Sequence, residues 1–261
     1  MQKIKFTKMV ASGNDFVVID KKPAGNLCAL TRAICDRKFG AGADGLLLIS
    51  KAKNADLRMR IINADGSEAE MCGNGARCAA LFSGKQKARI LTLAGLINSR
   101  LCASQVRIQL TDPKAVKLDI PLKVNGRLIK VNFINTGVPH VVVFVNGLDK
   151  MDVDSIGRLI RWHIKFSPGG TNVNFVEVKE NNLIGVRTFE RGVEAETLAC
   201  GTGSTASALI FALKNNLNDL VRVKTRSGEV LKIYFNKEKN KFKDVWLEGS
   251  SRIVYKGEYY V

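Results

Sequence analysis

Histidine, tryptophan and proline are scarce in this chain: 2, 2 and 5 of 261 residues. Two histidines, and 6 cysteines of which no two stand C-x-x-C, leave little material for a zinc site, and no metal is expected. Five prolines beside 23 glycines exclude collagen and proline-rich linkers. No apolar run approaches the ~18 residues of a membrane span. The opening residues are basic but hold no uninterrupted apolar segment of signal-peptide type. We therefore expect a cytoplasmic protein with no membrane partner, its cysteines kept as free thiols by a reducing compartment.

Acidic residues are also in short supply, 24 Asp plus Glu against 41 Lys plus Arg, for a formal net charge of +17. Such a balance admits a nucleic-acid partner, an anionic substrate or a solvated lysine-rich surface. From Met71 to Thr111 the basic residues Arg77, Lys85, Lys87, Arg89, Arg100 and Arg107 have no acidic neighbour, yet they are spread among apolar positions. No zinc-finger spacing, basic zipper or aromatic-basic interleaving accompanies them, so no nucleic-acid partner is expected.

What is present fits a globular protein, with 46% hydrophobic and 25% charged residues and a length suited to two domains. The runs Phe16–Ile19, Leu46–Ile49 and Val141–Val145 have the length of buried strands. Further strands are expected at 221–224, 230–235, 245–247 and 253–255. Asn26 can cap a helix running to about Arg37 and Asp154 one over Ser155–Trp162, while two more helices open at glycine-rich turns. Turns at Asp112-Pro113 and Asn125-Gly126 punctuate the middle of the chain, and a domain boundary is placed near Ala115.

Two echoes suggest related halves that face each other. Ala69-Glu70-Met71-Cys72-Gly73-Asn74-Gly75-Ala76 has a counterpart in Thr197-Leu198-Ala199-Cys200-Gly201-Thr202-Gly203-Ser204. Gly13-Asn14-Asp15-Phe16-Val17-Val18-Ile19 resembles the segment from Thr171 to Val178. Each Cys-Gly-x-Gly opens a small-residue helix, so each thiol lies at a helix N-terminus. There, free N–H groups and the positive end of the dipole favour an anion and lower a thiol pKa. The glycines let backbone N–H groups approach a ligand closely. A thiolate and a thiol on opposite faces of one carbon can remove a proton and return another, inverting the centre, while the helix ends hold the α-carboxylate. This is amino-acid racemisation without a cofactor. Pyridoxal phosphate is the rival for that reaction, and the sequence offers no signature for its lysine or phosphate cup. Cys28, Cys35, Cys78 and Cys102 lack the glycine context and read as core residues.

Six segments then resemble one family, diaminopimelate epimerase: Gly13–Phe16, Arg37–Gly45 (RKFGAGADG), Asn63–Cys78 (NADGSEAEMCGNGARC), Asn135–His140 (NTGVPH), Gly170–Phe175 (GTNVNF) and Glu190–Gly203 (ERGVEAETLACGTG). They span essentially the whole chain. The resemblance implies an α/β (α+β) fold of two pseudo-symmetric domains, each a curved, barrel-like mixed sheet around a central helix, with the active site in the cleft between them. The N-terminal domain would be residues 1–115 with a returning strand at 251–261, and the C-terminal domain 116–250. It implies a cofactor-independent homodimer that converts LL-2,6-diaminopimelate to the meso isomer in bacterial lysine and peptidoglycan biosynthesis.

By the same resemblance Cys72 and Cys200 are the acid and base. Gly73, Asn74, Gly75, Gly201 and Thr202 cradle the reacting carboxylate, and Asn63, Asn172, Glu190 and Arg191 hold the distal amino-acid end. Asn14 lies in a binding motif, and His140 and Glu190 are candidates to tune the thiols. The chain departs from the family pattern at Val138, where many members have asparagine, and at Gly45, where some have glutamine. Two other readings stay open: a racemase of the same scaffold acting on a one-headed amino acid, and a basic binding protein built on a retired enzyme.

Overall fold

A computed structural model describes residues 2–239 and 241–261. The chain divides into two units, Met1–Gln109 with Gly249–Val261, and Leu110–Glu248. The first crossing precedes Ala115 because Leu110 N already donates to Val245 O at 2.8 Å, and the strand Lys114–Val124 pairs with Arg127–Asn135.

In the first unit the strand Lys3–Ala11 folds back on Asn14–Ile19 through Ser12 and Gly13, both at positive φ (53° and 84°), a hairpin turn whose twist suits antiparallel strands. Helix α1 (Leu27–Cys35) then carries the chain across so that Gly45–Ser50 lies parallel to Asn14–Ile19. Asn26 caps α1 as expected, accepting from the N–H groups of Cys28 and Ala29. The buried face of α1, Leu27, Leu30, Ile34 and Cys35, packs on Ile4, Phe6, Val17, Ile19, Leu46, Leu48 and Ile62. Each such Leu or Ile contributes ~1.5–3 kcal/mol by leaving water.

Leu57–Asn63 next pairs antiparallel with Gly45–Ser50, and the short strand Glu68–Ala69 pairs with it in turn. Helix α2 (Gly73–Ser83) follows, and Lys87–Thr92 runs parallel to Leu57–Asn63. The hairpin strands Gly95–Cys102 and Gln105–Gln109 extend the unit, and Arg252–Tyr260 pairs antiparallel with Lys3–Ala11. Strands contact α2 on all sides, and Asn74 through Ala80 are buried. Its small side chains are what let a helix lie inside a curved sheet.

The second unit repeats this order. Arg127–Asn135 pairs antiparallel with Pro139–Phe144; helix α3 (Val153–Arg161) crosses; Asn172–Glu180 lies parallel to Pro139–Phe144. Leu183–Glu190 and Ala195–Thr197 precede helix α4 (Gly201–Lys214), after which Leu220–Lys224 runs parallel to Leu183–Glu190. Gly203 through Ala212 of α4 are all buried, so this helix is the core of its unit.

Two sequence expectations are corrected. The cap of α3 is Asp152, whose side chain accepts from Ser155 N, whereas Asp154 sits in the first turn and accepts from Glu196 N at 2.8 Å. The second echo is out of register: the counterpart of Asn14–Ile19 is Pro139–Phe144, and Asn172–Glu180 stands in the place of Gly45–Ser50. Neighbouring parallel strands buried on both faces share one apolar pattern, so the pattern could not tell them apart.

Candidate active site

The two cysteines occupy the same backbone position. Ala69 pairs with Ile61 and Thr197 with Thr188, and the chain then turns into α2 and α4 with Cys72 and Cys200 as N-cap residues. Both caps are extended, with φ −141° and −112°, which leaves the first N–H groups of each helix without an intrahelical partner. Each thiol takes one of them: Cys72 Sγ accepts from Gly75 N, and Cys200 Sγ from Gly203 N, both at 3.4 Å. All six cysteines are free thiols.

Beside Cys72 stand the amides of Asn14 and Asn74. Its Sγ lies 3.8 Å from Asn14 Oδ1, to which Asn74 Nδ2 also donates at 3.4 Å. Asn14 Nδ2 donates to Asp44 Oδ2 at 2.6 Å, and Arg37 joins Asp44 to Asp15. Burial pushes the Asp15 carboxyl up, but hydrogen bonds from the Arg37 and Lys8 side chains outweigh it and hold the group at about 2. Asn74 Oδ1 accepts from the fully buried Arg77 at 2.9 Å. The glycines are unequal. A Cβ on Gly75 would meet Leu47 Cδ2 at 3.2 Å and one on Gly73 only Ile108 Cδ1 at 3.6 Å.

Around Cys200 the main neighbour is a carboxyl. Glu190, at the end of its strand, accepts from Thr197 Oγ1 at 2.6 Å and hydrogen-bonds the Cys200 thiol. Burial raises the Glu190 pKa above the ordinary carboxyl value against those two bonds. Thr202 Oγ1 lies 3.5 Å from Cys200 Sγ, and Gly201 has Leu247 Cδ1 3.3 Å from where a Cβ would be. The expected lowering of the thiol pKa by the helix end is corrected here. Burial first, and the Glu190 charge second, raise Cys200 well above the ordinary thiol value, outweighing the Thr202 and Gly203 hydrogen bonds.

The remaining expected residues divide. Asn172 is engaged within its own unit: its Nδ2 donates to Pro139 O at 3.0 Å and its Oδ1 accepts from Arg191 N at 2.9 Å, so it fixes the backbone from which the Arg191 side chain extends. Arg191 Nη1 reaches Gly169 O at 3.4 Å. Asn63 Nδ2 donates to Ser67 Oγ at 3.0 Å. His140 is fully buried, and burial, then Arg191, push it down to about 3, so it is neutral. Gly45 is no simple loss of a side chain: a Cβ there would lie 2.8 Å from Ile62 O. Val138 lies in the turn before Pro139, its O accepting from Thr136 N at 3.2 Å.

Sequence reasoning missed Asn174. It is fully buried, with Nδ2 donating to Val141 O (2.9 Å) and meeting His140 Nδ1 (3.1 Å), while Oδ1 accepts from Thr188 Oγ1 (3.0 Å). The amide therefore makes Nδ1 the acceptor and leaves the His140 proton on Nε2. A Cβ on Gly203 would fall 2.3 Å from Asn174 Oδ1, so Gly203 is the close approach between the Cys200 helix and the strand beneath it. The signal was the alternation Asn172-x-Asn174, two polar side chains among the apolar Val173, Phe175 and Val176. Among the described residues, no group of three or more His, Cys, Asp and Glu is placed to hold a metal ion, and no helix is long and apolar enough to cross a membrane.

The family profile described as "Diaminopimelate epimerase" matches residues 6–116 and 132–254. The chain is 44% identical to the diaminopimelate epimerase of Aquifex aeolicus strain VF5, covering 97% of each chain. It is 41% identical to that of Hydrogenobaculum sp. strain Y04AAS1, covering 96% of each. Among solved structures, the fold is shared with a PhzF-family phenazine biosynthesis protein of Bacillus anthracis (TM-score 0.78, 17% identity, 100% of both chains). It is shared too with a hydroxyproline epimerase of Agrobacterium vitis (TM-score 0.73, 16% identity, 99% of this chain and 91% of that one). With capped thiols repeated at equivalent positions and this likeness over nearly its full length, the chain belongs to the diaminopimelate epimerase family.

Proposed function

We propose that the protein interconverts LL-2,6-diaminopimelate and meso-diaminopimelate by thiol acid–base chemistry, without pyridoxal phosphate. The observation that carries this reading is the repeated cap: two cysteines, each the N-cap of a glycine-opened helix, each with its sulfur on the N–H three residues on. Inversion needs an acceptor on one face of the α-carbon and a donor on the other. Cys72, the less buried thiol, takes the proton, and Cys200, kept protonated by burial and Glu190, delivers one; the reverse reaction exchanges the roles. The N–H groups around Gly73, Asn74, Gly75, Gly201 and Thr202 stabilise the charge that grows on the carboxylate as the carbon loses its proton.

Arg191, its backbone N–H held by Asn172, offers a planar fork to a second carboxylate; Asn63 is assigned with it to the distal amino-acid end and Asn14 to the reacting end. A one-headed amino acid leaves the Arg191 fork without its second carboxylate, a loss of ~1–3 kcal/mol. Glu190, occupied by Thr197 and Cys200, tunes a thiol in this reading rather than holding the distal ammonium, and neutral His140 backs the Cys200 helix through Asn174. Cytoplasmic action fits a reaction that needs both thiols reduced. A homodimer fits the exposed Ile253, Val254, Tyr255 and Tyr260 of the strand Arg252–Tyr260.

The test is to incubate the reduced protein with LL-diaminopimelate and resolve the stereoisomers. Formation of the meso isomer, with lysine and histidine far poorer substrates, supports the reading. Equal racemisation of histidine or lysine assigns the protein instead to one-headed amino acids.

A further inference from the structure

Next to Cys72, hydrogen bonds run in one direction through two amides. Arg77 Nη2 donates to Asn74 Oδ1 at 2.9 Å, Asn74 Nδ2 to Asn14 Oδ1 at 3.4 Å, and Asn14 Nδ2 to Asp44 Oδ2 at 2.6 Å. A guanidinium only donates and a carboxylate only accepts. With those groups at its ends, neither amide can turn over without setting donor against donor or acceptor against acceptor. Asp44 is itself fixed, since Oδ1 accepts from Arg37 Nη2 at 2.7 Å and Oδ2 from Asp15 N at 3.0 Å.

The sense of this chain decides what Cys72 meets. It presents a carbonyl oxygen, Asn14 Oδ1, 3.8 Å from the sulfur. A thiol can donate to that oxygen; a thiolate faces a lone pair. The Gly75 N–H, at 3.4 Å, pulls the other way. The charged and titratable groups around them include Arg77 and Cys78 on α2, Lys8 and Asp15 on the two adjoining strands, and Arg37 and Asp44 in the segment after α1. Arg37 and Lys8 are neutralised by the two aspartates they bridge. The orientation of the Asn14 amide, set by Asp44, thus decides which of its atoms faces the sulfur.

We propose that Asp44 is a positioning residue for Cys72: through the Asn14 amide it holds Cys72 as a thiol in the empty enzyme, until a substrate ammonium takes over Asn14 Oδ1. The base is then released only where there is a proton to remove, and an idle thiolate is not left open to oxidation. The proposal rests on reading Cys72 as an acid–base residue, but its test does not use turnover.

Alkylation by iodoacetamide is followed across pH in the reduced, substrate-free protein, with Cys72 and Cys200 read separately by mass spectrometry. In Asp44→Ala the Cys72 midpoint should fall by about one pH unit, a tenfold gain in thiolate at fixed pH, while the Cys200 midpoint stays. In Asn14→Ala the Cys72 midpoint should also fall, and adding Asp44→Ala to it should change nothing further, because the effect travels through the amide. An unmoved Cys72 midpoint in Asp44→Ala overturns the proposal. So does an equal fall with and without Asn14, which means charge acting through space, or a matching shift at Cys200. If Asp44→Ala does not fold, Asn14→Ala alone decides: a fall in the Cys72 midpoint supports the proposal, and no change or a rise overturns it. Loss of the catalytic reading itself is a separate result, seen as undiminished epimerisation in Cys72→Ala.

Discussion

The two halves build the same backbone around their cysteines and then furnish it differently. Counting from the paired strands, Asn63 of the first half corresponds to Glu190 of the second, and Leu47 to Asn174. Beneath Gly75 lies an aliphatic side chain and beneath Gly203 an amide. Beside Cys72 sits the amide of Asn14, and beside Cys200 the carboxyl of Glu190. The repeated part is the cap, which sets geometry. The differing part is the polar group facing the sulfur, which sets the proton. In the proposed reaction, where two thiols exchange acid and base roles, the first has to be shared and the second distinct.

The largest expected effect breaks the pair outright. Cys72→Ala and Cys200→Ala should each lower kcat by about 10²–10⁴-fold while circular dichroism stays unchanged, since neither thiol can do the other's work. Near-normal turnover in one of them means that half is structural.

The next contrast sets one helix base against the other. Gly203→Ala should destabilise by about 2–3 kcal/mol, because the new methyl meets Asn174 Oδ1, whose amide is held by three hydrogen bonds. Gly75→Ala should cost under about 1 kcal/mol, since the Leu47 end can give and alanine favours helix. Urea unfolding of the two variants reads the difference, and equal costs remove the distinction.

A smaller effect concerns the carboxyl. Removing the Glu190 charge by Glu190→Gln should lower the Cys200 pKa, because that charge acts in the same direction as burial. Alkylation of Cys200 should then reach its midpoint at lower pH, kcat should fall about tenfold, and Cys72 should be unaffected.

The smallest is a stability slope. His140 has a folded pKa of about 3, below its unfolded value of ~6.5, so between those limits the unfolded chain binds the extra proton. Stability is therefore lost as pH falls through that window, by at most about 1.4 kcal/mol per pH unit. Denaturant midpoints in His140→Asn should show a shallower slope there than the unaltered protein.

The caps and glycines around both cysteines were legible because capping is local: a cysteine, two glycines and a run of small residues say where a helix starts. What the sequence did not disclose depends on partners far along the chain. Asn174 acquires its role only when Asn172–Glu180 lies parallel to Pro139–Phe144 and an amide comes to rest under Gly203. The thiol shift at Cys200 was anticipated with the wrong sign, because a helix end is visible in sequence and burial beside Glu190 is not. Asp44 lies in the segment Arg37–Gly45, where nothing local says that it meets Asn14.

In the proposed reaction each half supplies one acid–base group to a single carbon. The most direct test of this is the label distribution in deuterium oxide, starting from LL-diaminopimelate and stopping at low conversion. With two separate thiols, the meso product carries solvent deuterium at the inverted carbon while recovered LL substrate carries little. Equal early labelling of both isomers rules out two separate thiols, because it means one group removes and returns the proton on its own.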